Sequence, residues 1–443
     1  MTDPTKINYG KKTIYINSVL SVIYKFVGMG CSLISAPLLL QCLGDEKYGV
    51  WVSLLSIISW IYYFDLGIGN GLRNRLTTSI AMNDIETSKK YLCISYILLS
   101  TISIVMFTVV YVFISRLDFG QALNIHLNDE SINRILIVAV LLACLNFVVS
   151  LVNNVLYALQ KSSAVGFFNI IGQILFIMGL VIYKLFNIKV LLLFAIAEGG
   201  AQLLKNLIES IYVYGKNPIL RFSLKDLDFK YANGILSFGL QMFIVQIAAL
   251  ILNSTDNLII IKYFGATAVT PYSMCYKYFN IINTVFVAIV TPLLSAYTAA
   301  YAKKDIKWIK TTLKKSLALY GIFFIGIIVA AFIFKPFASI WLHKQLDYPN
   351  GLILLTAIYF ALLIFMHIFS TFLTGLGMIK ETTIANVIQA IINIPVSIIL
   401  STKCGFGING VILGSIASML VVLIVAPIKS VHVMKKLTED RNQ

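Results

Sequence analysis

Charged residues inside apolar runs are the costliest groups this chain could carry, so they come first as candidates for chemistry. Lys25 stands about eleven residues into the first apolar run, roughly 16 Å along a helix. That depth is beyond easy snorkelling. Lys277 stands about seven residues into a later run, where its long stem can still reach outward. An ammonium group is a compact point charge that suits phosphate. Both lysines are therefore candidates for an anionic head group, and a pairing acid on a neighbouring helix is the competing reading. Asp65 and Asp256 are aspartates within apolar runs, suited to a proton, a coupling cation or the neutralisation of a buried lysine. Asn253, Ser254, Thr255 and Asn257 flank Asp256, so an interhelical hydrogen-bond cluster stays open there. Glu198, followed by Gly199 and Gly200, is a third candidate for coupling or gating. Lys205 and Glu209 lie four apart and can pair on one helix face.

Gly67, Gly69 and Gly71 make a GxGxG with no strand before it, which argues for a close helix contact or a gating bend and against a nucleotide loop. Arg73 and Arg75 follow, placed to guide an anion or to anchor a span at the membrane surface. No metal site is expected. His126, His343, His367 and His432 are scattered without an HExxH, and the six cysteines show no CxxC spacing. The GxxxxGK[ST] loop of nucleotide hydrolases is absent.

The elements that must position these residues follow from composition. Of 443 residues, 59% are hydrophobic and 12% charged, against about 25% charged in soluble domains. The apolar runs are continuous, not alternating, which selects helices over a membrane barrel. The fold expected is all-α and polytopic, with twelve transmembrane helices. Six lie in an N-terminal lobe (1–214) and six in a C-terminal lobe (232–443). The most polar interior stretch, 215–231, is the expected linker. The first span is expected over Ile14–Leu40, broken by Pro37, and the second over Tyr48–Gly69, with a polar turn at Gly44–Lys47 between them. A polar loop is expected from Arg73 to Lys90. The N-terminus is basic without an A-x-A site, so the first run reads as a retained span and not a signal peptide. The net charge of +16 fits basic loops facing the cytoplasm and anionic lipid, with no nucleic acid as partner. With both termini inside, the cytoplasmic segments hold more than twice the Lys and Arg of the outer ones.

The lobes echo one another. A shift of 221 positions carries Gly44 onto Gly265, Leu72 onto Leu293, Thr77 onto Thr298, Ala81 onto Ala302, Asp84 onto Asp305 and Lys89 onto Lys310. Two-lobed transporters built from an internal repeat read this way.

Two stretches carry a family resemblance. LGDEKYGVWVSLLSIISWIYYFDLGIGNGLRNRL, from Leu43 to Leu76, resembles the second-helix region of the Wzx-type polysaccharide flippases of the multidrug/oligosaccharidyl-lipid/polysaccharide (MOP) exporter superfamily. STDNLIIIKYFGATAVTPYSMCYKYFN, with Asp256, Gly265 and Tyr272, is similar to the matching signature of the second lobe. The resemblance implies a MATE-like pair of six-helix lobes that open alternately to either side. It implies a transporter, not an enzyme, that flips an undecaprenyl-diphosphate-linked oligosaccharide such as an O-antigen repeat unit. The substrate would pass from the cytoplasmic to the periplasmic leaflet of the bacterial inner membrane. Lys25, Arg73, Arg75 and Lys277 would then engage the diphosphate and sugar. Asp65, Asp256 and Glu198 would couple or gate. No arginine stands within the spans, a departure from a detailed head-group clamp. No cofactor is implied; a Na+ or H+ gradient is the candidate driving force. Membrane lipids, a polysaccharide polymerase and other assembly proteins are the expected partners. Two alternatives stay open: a cation-coupled drug or metabolite exporter of the same superfamily, and a membrane glycosyltransferase or ligase.

Overall fold

The computed structural model describes residues 11–123, 125, 131–188, 190–302, 304–378 and 380–442. His126 lies outside that set, as do Lys303 and the first ten residues. The described chain is helical: α1 (Lys11–Tyr63), α2 (Ile68–Ala81), α3 (Ile85–Arg116), α4 (Phe119–Ala122), α5 (Ile132–Val149), α6 (Leu151–Ala158), α7 (Ser162–Leu185), α8 (Leu191–Lys216), α9 (Ala232–Phe264), α10 (Ala266–Ala302), α11 (Ile306–Leu342), α12 (Leu352–Gly375), α13 (Lys380–Ile398) and α14 (Ile408–Asn442). Among the described residues, ten helices are long and apolar enough to cross a membrane. The longest, Leu20–Tyr62, has 43 residues and is broken at Gly44, so it supplies two crossings. α9, at 33 residues, is also long enough to cross. Counted with these two, the described helices are consistent with the twelve spans expected, and the chain is a multi-pass membrane protein.

Two local expectations are corrected. The first break falls at Gly44 (φ 72°, ψ 174°), while Pro37 stays inside the helix. A proline removes one internal hydrogen bond, whereas a left-handed residue turns the backbone out of the helix altogether. The expected polar turn is thus a one-residue kink. The expected loop from Arg73 to Lys90 is largely helix: α2 runs to Ala81 and α3 begins at Ile85. Arginine, leucine and alanine are good helix formers. Once a helix leaves the hydrocarbon, charged residues no longer end it.

The repeat is written into the backbone. Gly44 and Gly265 both have positive φ, at 72° and 86°. Asn83 and Lys304, also 221 apart, have φ of 57° and 54°. Asp84 then accepts from the Thr87 amide and Asp305 from the Trp308 amide, both at 3.0 Å, so each caps its helix. The Thr77 hydroxyl donates back to the Arg73 carbonyl and across to that of Ala158. Thr298 does the same to Leu294 and Gly375. From there the offset shortens, and α8 and α14 begin 217 positions apart at Leu191 and Ile408.

The chain divides into two compact units, up to Leu250 and from Ile251 onward, with the division inside α9. In the first unit α1 packs on α5 and α7, α3 on α5, and α8 on α5 and α7. The second repeats this order: α12 packs on α10, α11 and α14, and α13 on α14. Short 3₁₀ turns at Pro218–Leu220, Leu224–Asp226 and Phe229–Tyr231 form the stretch that joins α8 to α9. That stretch lies along α3. Tyr96 stacks on Phe222 at 5.1 Å, Tyr91 meets Tyr231 edge-on at 5.0 Å, and the Cys93 thiol donates to the Ser223 carbonyl.

Candidate functional site

The apolar helices α1, α5 and α8 of the first unit line a half-open pocket of about 340 Å³. Trp51, Leu55, Ile58 and Tyr62 line it from α1, and Ala139, Ala143 and Asn146 from α5. From α8 come Ala195, Glu198, Gly199, Gln202, Lys205 and Asn206. The polar residues of α8 are spaced by the helical period: 198, 202, 205, 206 and 209 fall on one face. In a membrane helix such a face must turn toward protein, because lipid offers no hydrogen bonds.

Three of these groups, Glu198, Lys205 and Asn206, are held by other helices. The Trp51 indole donates to the Glu198 carboxylate at 2.7 Å. Asn146 donates to the carbonyls of Leu142 and Gly199, both at 3.0 Å, and accepts from the Asn206 amide at 3.0 Å. Lys205 pairs with Glu209 at 3.3 Å and donates to Asn169 of α7 at 3.3 Å. The pair is almost fully enclosed, with 4% and 0% of the two side chains exposed. Asn206 Oδ1 and Glu209 Oε1 are buried and take no hydrogen bond among the described residues. Chemically, this is an acid and an ion pair with amide ligands, set in apolar walls. It can hold a small polar group or exchange a proton.

In the second unit the polar centre is Asp256 of α9. The Tyr272 hydroxyl donates to its carboxylate at 2.6 Å, and the Ser415 hydroxyl lies 3.3 Å from it. Asn393 of α13 donates to Ser415 and Ser418 of α14, and Thr255 donates to Asn393. Asp256 is buried at 7% exposure, so the interhelical cluster read from its polar neighbours is present.

The other sequence candidates are dispersed. Lys25 is exposed on α1 and joins no ion pair among the described residues. Arg73 is exposed, with its guanidinium 4.9 Å from the Tyr157 ring centre. Arg75 donates to the Gly234 carbonyl at 2.9 Å, tying α2 to the start of α9. Asp65 stands in the break between α1 and α2, where it accepts from the Gly67 and Gly69 amides at 2.8 and 3.2 Å. That arrangement satisfies donors a helix start leaves free. Gly71 is where α2 meets α9, and a Cβ there would lie 2.3 Å from the Ile235 carbonyl oxygen. The GxGxG is thus a helix break and a close helix contact. Lys277 is half-buried on α10. Among the described residues, no cluster of three or more His, Cys, Asp or Glu could hold a metal. Sequence reasoning paired Lys205 with Glu209 but left Glu198 apart from them. The period linking Glu198, Gln202, Lys205, Asn206 and Glu209 was the signal for the whole face, and Asn146, a single amide in an apolar run, was the signal for its partner.

With this geometry in hand, known proteins place the chain. A family model described as polysaccharide biosynthesis protein matches residues 14–298, and the MatE model matches residues 242–399. A protein of Salmonella typhimurium (strain LT2) named as an O-antigen transporter is 22% identical over 407 residues, covering 89% of this chain and 90% of that protein. A Yersinia pseudotuberculosis protein named as an O-antigen export protein is 23% identical over 416 residues, covering 90% and 91%. Among solved structures, an inward-facing multidrug resistance MATE family transporter of the MOP superfamily superposes with a TM-score of 0.78 at 15% identity. It covers 95% of this chain and 99% of its own. A MOP superfamily transporter from Pyrococcus furiosus gives 0.66 at 16% identity, with 99% of each chain covered. The helices and their repeat therefore define a MATE-like fold. The chain belongs to the polysaccharide biosynthesis protein family.

Proposed function

We propose that this protein is a flippase for a lipid-linked oligosaccharide, carrying an undecaprenyl-diphosphate-linked repeat unit, such as that of an O-antigen, from the cytoplasmic to the periplasmic leaflet. A diphosphate and its sugars cannot cross hydrocarbon unaided, whereas a polyprenyl tail can stay in lipid. The observation that carries the reading is family membership over residues 14–298 in a chain whose relatives are named for O-antigen transport. The all-helical MATE-like fold supports movement by alternating access of the two units in the inner membrane, with both termini cytoplasmic.

In this reading Glu198 and Asp256 are the coupling acids, one in each unit, driven by a Na+ or H+ gradient. Asp65 acts at the α1–α2 break as a gate. Lys25, Arg73 and Lys277 attract the diphosphate, and Arg75 contributes through its hold on α9. The stretch 215–231 serves as the cytoplasmic linker between the sixth and seventh spans, ahead of the division between the compact units inside α9. Polymerase and other assembly proteins act on the delivered unit.

The test is a leaflet assay. In cells lacking the gene, lipid-linked oligosaccharide should accumulate on the cytoplasmic face, and the wild-type chain should reverse this. Normal periplasmic delivery without the protein would overturn the reading. One arrangement favours a second reading, a cation-coupled small-molecule exporter: each unit has a carboxylate held by hydrogen bonds, Glu198 by Trp51 and Asp256 by Tyr272. Gradient-driven dye efflux from proteoliposomes, with no flipping, would select it.

A further inference from the structure

The N-terminal turns of α11 are unlike their counterpart in the first unit, and the difference is electrostatic. Lys304, Lys307, Lys310, Lys314 and Lys315 are all exposed there. Lys307, Lys310 and Lys314 follow the helical period, so they line one face over about 10 Å. The single acid in this stretch, Asp305, is already engaged in capping the Trp308 amide. None of the five lysines joins an ion pair among the described residues. α11 has 37 residues, about 55 Å of helix against about 30 Å of hydrocarbon. Its apolar stretch begins only at Leu317, so these turns stand outside the membrane core. Trp308 and Tyr301 beside them are 36% and 37% exposed, in the manner of aromatic residues at a membrane–water boundary.

The repeat supplies the comparison. At a shift of 221, Lys307 replaces Glu86, Lys310 matches Lys89 and Lys314 replaces Cys93. In the first unit Glu86 pairs with Lys90 at 2.7 Å, and the Lys90 ammonium lies over the Tyr231 ring. Cys93 is buried there, donating to Ser223 of the joining stretch. One copy of this helix start is thus charge-balanced and covered by the chain itself. The other is lysine-rich and open.

We propose that the lysine face of α11 is a docking surface for the anionic phospholipid head groups of the surrounding leaflet. Phosphate charge is complementary to the lysines, the helix leaves the hydrocarbon at that height, and Trp308 and Tyr301 seat it there. The surface ties the second unit to acidic lipid at one membrane face, a role distinct from any substrate site.

The test uses the full chain in nanodiscs of equimolar phosphatidylglycerol and phosphatidylcholine, with retained lipids counted by native mass spectrometry. The wild type should retain phosphatidylglycerol several-fold over phosphatidylcholine, and the excess should shrink as salt rises. The triple variant K307Q/K310Q/K314Q should lose it, at on the order of five-fold in local affinity per lysine. A charge-matched variant, K335Q/K344Q/K403Q, should keep it. The proposal falls if the first triple variant retains lipid as the wild type does, or if the charge-matched variant loses it equally. Displacement of phosphatidylglycerol by inorganic pyrophosphate, at an ionic strength where sodium chloride displaces none, would also overturn it, assigning the face to a diphosphate head group. So would a wild type with no lipid preference, which would leave an acidic protein as the occupant. A melting curve for each variant separates lost binding from lost folding.

Discussion

The buried pair Lys205–Glu209 allows the sharpest perturbation. Lys205→Met keeps length and apolar volume but leaves the Glu209 carboxylate enclosed at 0% exposure without its cation. Glu209→Leu leaves Lys205 with Asn169 alone. Removing one partner of a buried pair costs about 3–5 kcal/mol. Here the lower end applies. The pair is 3.3 Å apart, and Glu209 Oε1 has no described partner, so the wild-type geometry already falls short of full compensation. Each single variant should therefore lose about 3 kcal/mol. Replacing both ions together restores neutrality, and Lys205→Met/Glu209→Leu should lie within about 1 kcal/mol of wild type. The coupling energy of the cycle is then about 5 kcal/mol or more, because the two single losses together come to about 6 kcal/mol and the double variant loses at most about 1 kcal/mol. The assay is reversible unfolding in mixed micelles at rising SDS fraction, run on all four proteins. The reasoning is refuted if Lys205→Met alone costs less than about 1 kcal/mol, or if the double variant is no more stable than either single one.

Four further outcomes are expected. Gly71→Ala drives a methyl group against the Ile235 carbonyl at 2.3 Å and should cost about 1–3 kcal/mol, measured in the same unfolding assay; a neutral result would show that α2 and α9 are not packed there. Trp51→Phe removes the donor to Glu198 and should cost about 1.5–3 kcal/mol, and lower flipping in the leaflet assay, because the carboxylate is left short of a hydrogen bond. Thr298→Val removes a 2.7 Å bond to the Gly375 carbonyl and should cost about 1 kcal/mol by SDS unfolding, and Thr77→Val should be milder because its bond to Ala158 is longer, at 3.5 Å. Asp84 is the group whose pH dependence is readable. The Thr87 amide holds its carboxyl below the usual range, so the cap's contribution is present at neutral pH and is lost as pH falls through that depressed value. Stability followed against pH should show an acid-side loss in the wild type that Asp84→Asn lacks.

How much of this was legible in the sequence depends on which physical signal each feature leaves. The spans were legible because long apolar runs are needed to satisfy a bilayer. The repeat was legible in Gly44 and Gly265, Thr77 and Thr298, and Asp84 and Asp305, and each pair has a matching backbone job. The helical nature of 73–81 was hidden, because charge and polarity mark the edge of hydrocarbon and not the end of a helix. The break at Asp65 was hidden for a related reason. An acid near the end of an apolar run reads as functional, yet the same carboxylate can serve the free amides of the next helix, as it does for Gly67 and Gly69. Lys25 illustrates the limit of depth arguments. Distance along a helix says how far a charge sits from the end, and nothing about which face carries it.

The repeat also bears on how two units built alike could do different work. The shared features are those that shape the helices: left-handed kinks, aspartate caps and threonine cross-links. The buried polar residues follow another pattern. Glu198 corresponds to Ser415 at the 217 offset, and Asp256 corresponds to Ser35 at the 221 offset. The carboxylate therefore sits on the last helix of the first repeat but on the first helix of the second. Yet Ser415 reaches a carboxylate, that of Asp256, so both last helices carry a polar group at this height, with the acid on that helix in the first repeat and on its partner in the second. Two units with interchangeable roles would need no such exchange. If each acid serves its own step, Glu198→Gln and Asp256→Asn should differ in kind. Measured across a range of imposed pH and Na+ gradients, flipping by the two variants should lose different parts of its gradient dependence. Identical profiles would show that the acids act in one step, and that their different placement in the two repeats has no functional consequence.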